Sequence, residues 1–474
     1  MAAYDFLIKG ARLVDPIDPQ RWMQGPVDIA VKAGRVAAVK AGIPIASAAD
    51  VYHCHGETVF PGIIDSHVHM GSPPNAVGHK MLALAGVTTA VDFAGPMEET
   101  VEGARQSGAG LNVAGLHRIS TDLNMPTTDP KTHEIRGEAE RALDLGAIGL
   151  KVVGGHLPLT PEATARVREV ANDLSCYFAF HVGTTATGSN IEGLREAVEI
   201  IGDGRAHIAH INAYCRGQKM SISEEVAQAV DILTHEAPHL VSEAYMGTVN
   251  GTFGACIDGV PKSAVTRTCL RMAGYPETEE GLVQAIRDGY CSANVPQGGQ
   301  VVLKTGEEGV EGWRAAGAGA FVSFAVNSPE AAFLLATARR AGGDEFVVDA
   351  MSTDGGSIPR NVQLERGLAL VQLGALSLSD LARKFSYNPA LMFGFEGKGR
   401  VAEGFDADLT MADLETRRPV MTMVGGRVVM YRGLAVGSGA TFLTTGRGAP
   451  ALEKAGFATR VVDVTRGLIY TRGA

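Results

Sequence analysis

Five apolar segments of this 474-residue chain each stop at a residue that can bind a cation or move a proton. Phe60-Pro-Gly-Ile-Ile-Asp-Ser-His67-Val-His69 ends in a histidine pair, and Ala147-Ile-Gly-Leu-Lys151 runs through a lysine into Gly154-Gly155. Ser175-Cys-Tyr-Phe-Ala-Phe-His181 and Ala206-His-Ile-Ala-His210 end in single histidines, and Phe346-Val-Val-Asp-Ala-Met-Ser-Thr-Asp354 ends in an aspartate before two glycines. A loop and a helix-like stretch follow each stop. Strand ends alternating with helices are the pattern of a parallel barrel whose functional residues gather at the carboxyl face. The predicted fold is therefore α/β, a (β/α)8 TIM-like barrel.

The histidine pair is the strongest single site signal. Side chains two apart on a strand share a face, so His67 and His69 can converge on one cation beyond the strand end. Lys151 reads in two ways. As a bare ammonium on a buried strand it is costly, which marks it as a candidate functional group; alternatively it snorkels to solvent. A competing motif, His235-Glu-Ala-Pro-His239, matches the zinc-protease pattern, but Pro238 breaks the helix that would put both histidines on one face. His79, His117 and His133 read as surface or packing residues.

In order, the strand-end residues are His, His, Lys, His, His, Asp, and with Pro61-Gly-Ile-Ile-Asp-Ser-His-Val-His at the front they resemble the amidohydrolase superfamily. The likeness is to its two-metal branch of hydantoinases, dihydropyrimidinases and dihydroorotases, with a short similarity to enamidase in His181-Val-Gly-Thr-Thr and His207-Ile-Ala-His210-Ile-Asn212. The resemblance implies two divalent metal ions, zinc by default with manganese, iron or cobalt as alternatives. His67, His69, Lys151 as N6-carboxylysine, His181, His210 and Asp354 would hold them. It also implies that Asp354 acts as general base and acid. His156 stands where hydantoinases carry a tyrosine that polarises the substrate oxygen; it either takes that role or packs in its loop. Thr184, Asn212, Tyr214, Tyr245, Ser357 and Arg360 are candidate substrate contacts, with Arg216 a second cation able to meet a carboxylate.

The implied activity is hydrolysis of a C–N amide bond in a small cyclic amide of hydantoin, dihydropyrimidine or lactam type. Alternatives are an N-acyl amino acid deacylase or dipeptidase, a heterocycle deaminase, and a non-enzymatic scaffold. Retention of all six ligand-type residues argues against the scaffold, and Lys151 argues against a one-metal deaminase. A net charge of -10 with no basic stripe excludes a nucleic-acid partner. No apolar run is long enough to cross a bilayer, and the six cysteines form no paired motif, so a cytoplasmic enzyme of a small molecule is expected. A homo-oligomer, dimer or tetramer, follows from the resemblance alone.

Short β-like runs before residue 60 look like a small sheet and the β pattern returns after about 400; the resemblance implies that the two ends pair into a composite β-sandwich domain of 1–60 and 396–474 around a barrel of 61–395. A Gly-rich and charged segment, 247–319, falls between the seventh and eighth strands. It reads either as a lid over the site or as a surface excursion used in oligomer contacts.

Overall fold

The computed structural model describes residues 2–72, 76–93 and 95–472. Its centre is a ring of parallel strands in chain order: Ile63–His69, Val87–Asp92, Ala109–Ile119, Gly149–Val153, Tyr177–His181, His207–Ile208, Val241–Tyr245 and Ala350–Ser352. These are the first to eighth barrel strands. Alternation along them separates two environments. In the fifth, Phe178 and Phe180 point outward into the apolar layer beneath the helices, while Tyr177 and Ala179 join the interior cluster. The floor of the barrel is plugged by Met392, Phe393 and Phe395, with Phe393 stacked on Tyr177 at 4.5 Å. An inward side chain near a strand's carboxyl end therefore has a packed core below it and a cavity above.

The ring closes through two glycines. Gly355 and Gly356, just after the eighth strand, pair with Val68 and His69 of the first. Gly356 has φ +78°, and a Cβ there would lie 2.4 Å from the His69 carbonyl oxygen. Only a glycine allows both the backbone angle and this approach.

The small domain is one sheet built from both ends of the chain. Thr58–Pro61 pairs antiparallel with Leu409–Asp413, which continues through Arg418–Val424 and Arg427–Tyr431, while Tyr4–Leu13 joins Val27–Lys32 and Arg35–Lys40 on the other side. The tail beyond Ala435 departs from this arrangement. Gly439–Thr444 runs parallel to the start of the third barrel strand and Ala458–Val461 adds outside it. Phe442 and Leu443 draw this tail onto the barrel, where both are fully buried.

The insertion before the eighth strand is a folded unit. Thr252–Phe253, Phe321–Phe324, Cys291–Gln297 and Gln300–Lys304 form an antiparallel sheet backed by helices Ala264–Met272, Glu279–Arg287 and Gly306–Ala316. It has its own core of Leu270, Leu282, Ile286, Val310, Trp313 and Phe324. His235 lies on the exposed end of a helix facing Asp231, and the chain turns from there into the seventh strand. His79 and His117 are fully buried rather than superficial.

Gly356→Ala is expected to lower unfolding free energy by at least about 2 kcal/mol, from overpacking against the His69 carbonyl together with left-handed strain. Urea denaturation monitored by fluorescence reads this as a lower midpoint. An unchanged midpoint would contradict closure through this glycine.

Candidate active site and metal centre

The strand ends converge. Nε2 of His69 is 2.9 Å and Nε2 of His67 is 3.3 Å from Oδ1 of Asp354, and the ligand atoms of these three residues lie within 4.8 Å of one another. The His67 ring lies 5.1 Å from that of His210, which is 4.3 Å from that of His181. Lys151 Nζ sits 4.6 Å from the centre of the Phe93 ring, which stacks on His67 at 4.1 Å. Six side chains from five strand ends thus meet above the barrel core.

Their chemistry fits a cation site. Among the described residues Nε2 of His67, Nδ1 of His210 and Nζ of Lys151 are buried without a hydrogen-bond partner. A buried polar atom left this way is costly, and three at one place form an unsatisfied donor set of the kind a metal completes. Burial holds His67, His181 and His210 well below the ordinary imidazole pKa, so they are neutral, the form that ligates. Burial also brings Lys151 down to about 7, against the opposing pull of Asp354 and Glu243. For Asp354, burial works upward, but the Arg360 guanidinium outweighs it and holds the carboxyl well below its usual value. Both His210 (φ 35°) and Asp354 (φ 49°) have left-handed backbones, unusual outside glycine and asparagine and concentrated at functional sites.

The substrate-side candidates divide. His156 faces the histidine cluster, 4.9 Å from the His181 ring, and its Nδ1 is 3.5 Å from the hydroxyls of Thr252 and Ser263 in the insertion. Burial takes its pKa to about 3, so it is a neutral imidazole. Tyr245 borders the same slot. Arg360 does not offer itself to a substrate: Nη2 pairs with Asp354 at 2.6 Å, Nε donates to the Asp354 carbonyl and Nη1 to that of Val249. Thr184 gives its hydroxyl to Glu196, and Tyr214 accepts the Val182 amide proton from beneath the fifth strand end. Oδ1 of Asn212 accepts from the Tyr245 amide, and Ser357 donates to the His69 carbonyl. These four are tied to the framework. Short polar side chains after a strand invite a substrate reading, yet loop and strand-end amides compete for the same atoms.

Two buried carboxylates escaped prediction. Glu243, mid-strand and without exposed surface, accepts from His67 Nδ1 at 2.8 Å, from the His210 amide at 2.7 Å and from the Ser352 hydroxyl. It thereby fixes His67 with Nε2 turned toward Asp354. Asp65 accepts from the amide and hydroxyl of Thr353 and joins the first strand to the eighth; burial raises it to about 7, despite those bonds. The available signal for Glu243 was an acid inside the apolar run Leu240-Val-Ser-Glu-Ala-Tyr. Glu243→Gln keeps the shape and replaces one acceptor oxygen by an amide; it is expected to weaken divalent-metal binding about 10- to 100-fold, the usual effect of losing a partner behind a ligand. Competition titration against a chelator measures this, and unchanged affinity would contradict the assignment.

Residues 319–429 match the model of the Amidohydrolase family. A dihydroorotase of Trichlorobacter lovleyi is 23% identical over 450 residues, covering 86% of this chain and 89% of that protein. An allantoinase of Bacillus velezensis is 23% identical over 459 residues, covering 86% and 85%. Among solved structures, a D-aminoacylase mutant superposes with a TM-score of 0.63 at 18% identity, covering 93% of this chain and all of that one. The L-hydantoinase of Arthrobacter aurescens superposes with a TM-score of 0.55 at 18% identity, with the same coverage. The barrel, the converging strand ends and these matches together make this chain similar to the amidohydrolases, dihydroorotases and allantoinases among them.

Proposed function

We infer that this protein hydrolyses the C–N bond of a small cyclic amide, of hydantoin, dihydropyrimidine or lactam type, at a centre of two divalent metal ions. The observation that carries this reading is the convergence of His67, His69, Lys151, His181, His210 and Asp354, with three buried nitrogens lacking partners. When bound, such ions lower the pKa of water and polarise a carbonyl. Zinc suits the imidazole and carboxylate donors.

The chain's own groups supply the rest. The buried Lys151 amine adds to carbon dioxide, forming an N–C bond and releasing one proton, and the resulting carbamate replaces a costly bare ammonium with an anion beside the histidines. Asp354, kept ionised by Arg360, takes a proton from the attacking water and returns it to the departing nitrogen. His156, neutral and steadied by Thr252 and Ser263, donates a hydrogen bond to the substrate oxygen. The insertion forms the wall opposite the metal ligands, since Asn250, Gly251 and Val265 border the slot that holds His181, His210 and Asp354.

The likeness to D-aminoacylase supports a second reading, an open-chain N-acyl amino acid as substrate. The six free cysteines suit a reducing, cytoplasmic setting, and no helix among the described residues is long and apolar enough to cross a membrane. Metal analysis of the purified protein is expected to give about two metals per chain. Lys151→Ala is expected to lose metal together with hydrolysis of hydantoins, dihydropyrimidines, lactams or N-acyl amino acids. One metal or none, with the variant unchanged, would overturn the two-metal reading.

A further inference from the structure

Three arginines border the slot at the metal ligands or the cavity adjoining it, and two are already neutralised. Arg360 is spent on Asp354, and Arg271 pairs with Glu277 at 2.6 Å. Arg216 follows the short turn Ile211–Tyr214 after the sixth strand and is half-buried. Its Nε and Nη2 both donate to Oδ1 of Asn327, at 3.1 and 2.8 Å. Among the described residues no carboxylate pairs with it and Nη1 makes no hydrogen bond. Asn327 is itself fixed, giving its amide protons to the Tyr245 hydroxyl and the Gly247 carbonyl, and is 5% exposed. The guanidinium is thus held in one orientation by a neutral partner, with its charge uncompensated.

Its position joins two spaces. One is the slot of about 20 Å³ bordered by His156, His181, His210 and Asp354; the other is an adjoining cavity of about 200 Å³ walled by Gly154, Gly155, Pro158, Cys269 and Met272. Arg216, Ser189 and Val265 line both. A partly desolvated cation without a counter-charge favours an anionic ligand, and the planar fork of arginine matches a carboxylate.

We propose that Arg216 binds a carboxylate of the substrate, so that this site takes an amide bearing an acid group, with the adjoining cavity receiving the substituent beyond it. This rests on the amide-hydrolase reading above. Asn327 is a positioning residue that presents the guanidinium.

The test compares one ring with and without the acid. In the metal-loaded full chain, kcat/KM is measured for dihydroorotate and for dihydrouracil in wild type, Arg216→Gln and Arg216→Lys. The ratio of the two values is expected to fall about 10- to 100-fold in R216Q, mainly through KM, as for loss of a charge-assisted contact, with partial recovery in R216K. Because both substrates meet the same protein, general damage cancels in the ratio. A ratio unchanged in R216Q would overturn the proposal. If wild type hydrolyses neither ring, the hydrolase reading on these substrates fails, and calorimetry with orotate and uracil decides Arg216 separately. Preference for orotate that disappears in R216Q upholds the contact; equal binding of the two by wild type removes it.

Discussion

A carboxyl group with no exposed surface, that of Glu243, lies under the candidate centre, and the surrounding geometry depends on keeping it satisfied. Glu243 receives hydrogen bonds from the first strand, from the turn after the sixth and from the eighth, while standing on the seventh. Losing any one leaves a buried acceptor short of a donor, at a cost of about 1–3 kcal/mol. Those same bonds select which nitrogen of His67 turns inward and hold His210 in its left-handed backbone. A carboxylate buried for structural reasons thereby becomes the part that aims the ligands.

The barrel gives this arrangement its rigidity. Apolar side chains fill its floor, the glycine pair after the eighth strand locks the ring at His69, and the carboxyl-terminal tail packs Phe442 and Leu443 against the strands. Polar groups at the strand ends consequently have little freedom to relax, and unpartnered nitrogens persist instead of turning to solvent. The insertion is held differently. It has a separate core, and it meets the site through polar contacts of Thr252 and Ser263 with His156. Movement of this unit would change the substrate wall while leaving the metal ligands on the barrel.

The barrel was legible because apolar runs broken by glycine-rich loops and helical stretches have one economical parallel solution, and because each run stops at a chemically distinctive residue. His67, His69, Lys151, His181, His210 and Asp354 stood out for that reason, and the structure brings them together. Glu243 was hidden, since a strand-interior acid looks the same whether it serves a catalytic centre or an edge. Arg360 misled in the opposite sense. Its charge invites a substrate, but Asp354 lies six residues earlier, and only the folded loop shows the two paired. The tail after Ala435 was likewise illegible, because its β pattern is the same on either sheet and burial of Phe442 decides between them.

The most direct measurement is diffraction from crystals of the metal-loaded protein at the absorption edge of its metal. The account predicts two anomalous peaks, one beside His67, His69 and Asp354 and one beside His181 and His210, with a carboxylated Lys151 reaching both. A single peak, a peak away from these residues, or a bare Lys151 amine in the loaded protein would contradict it.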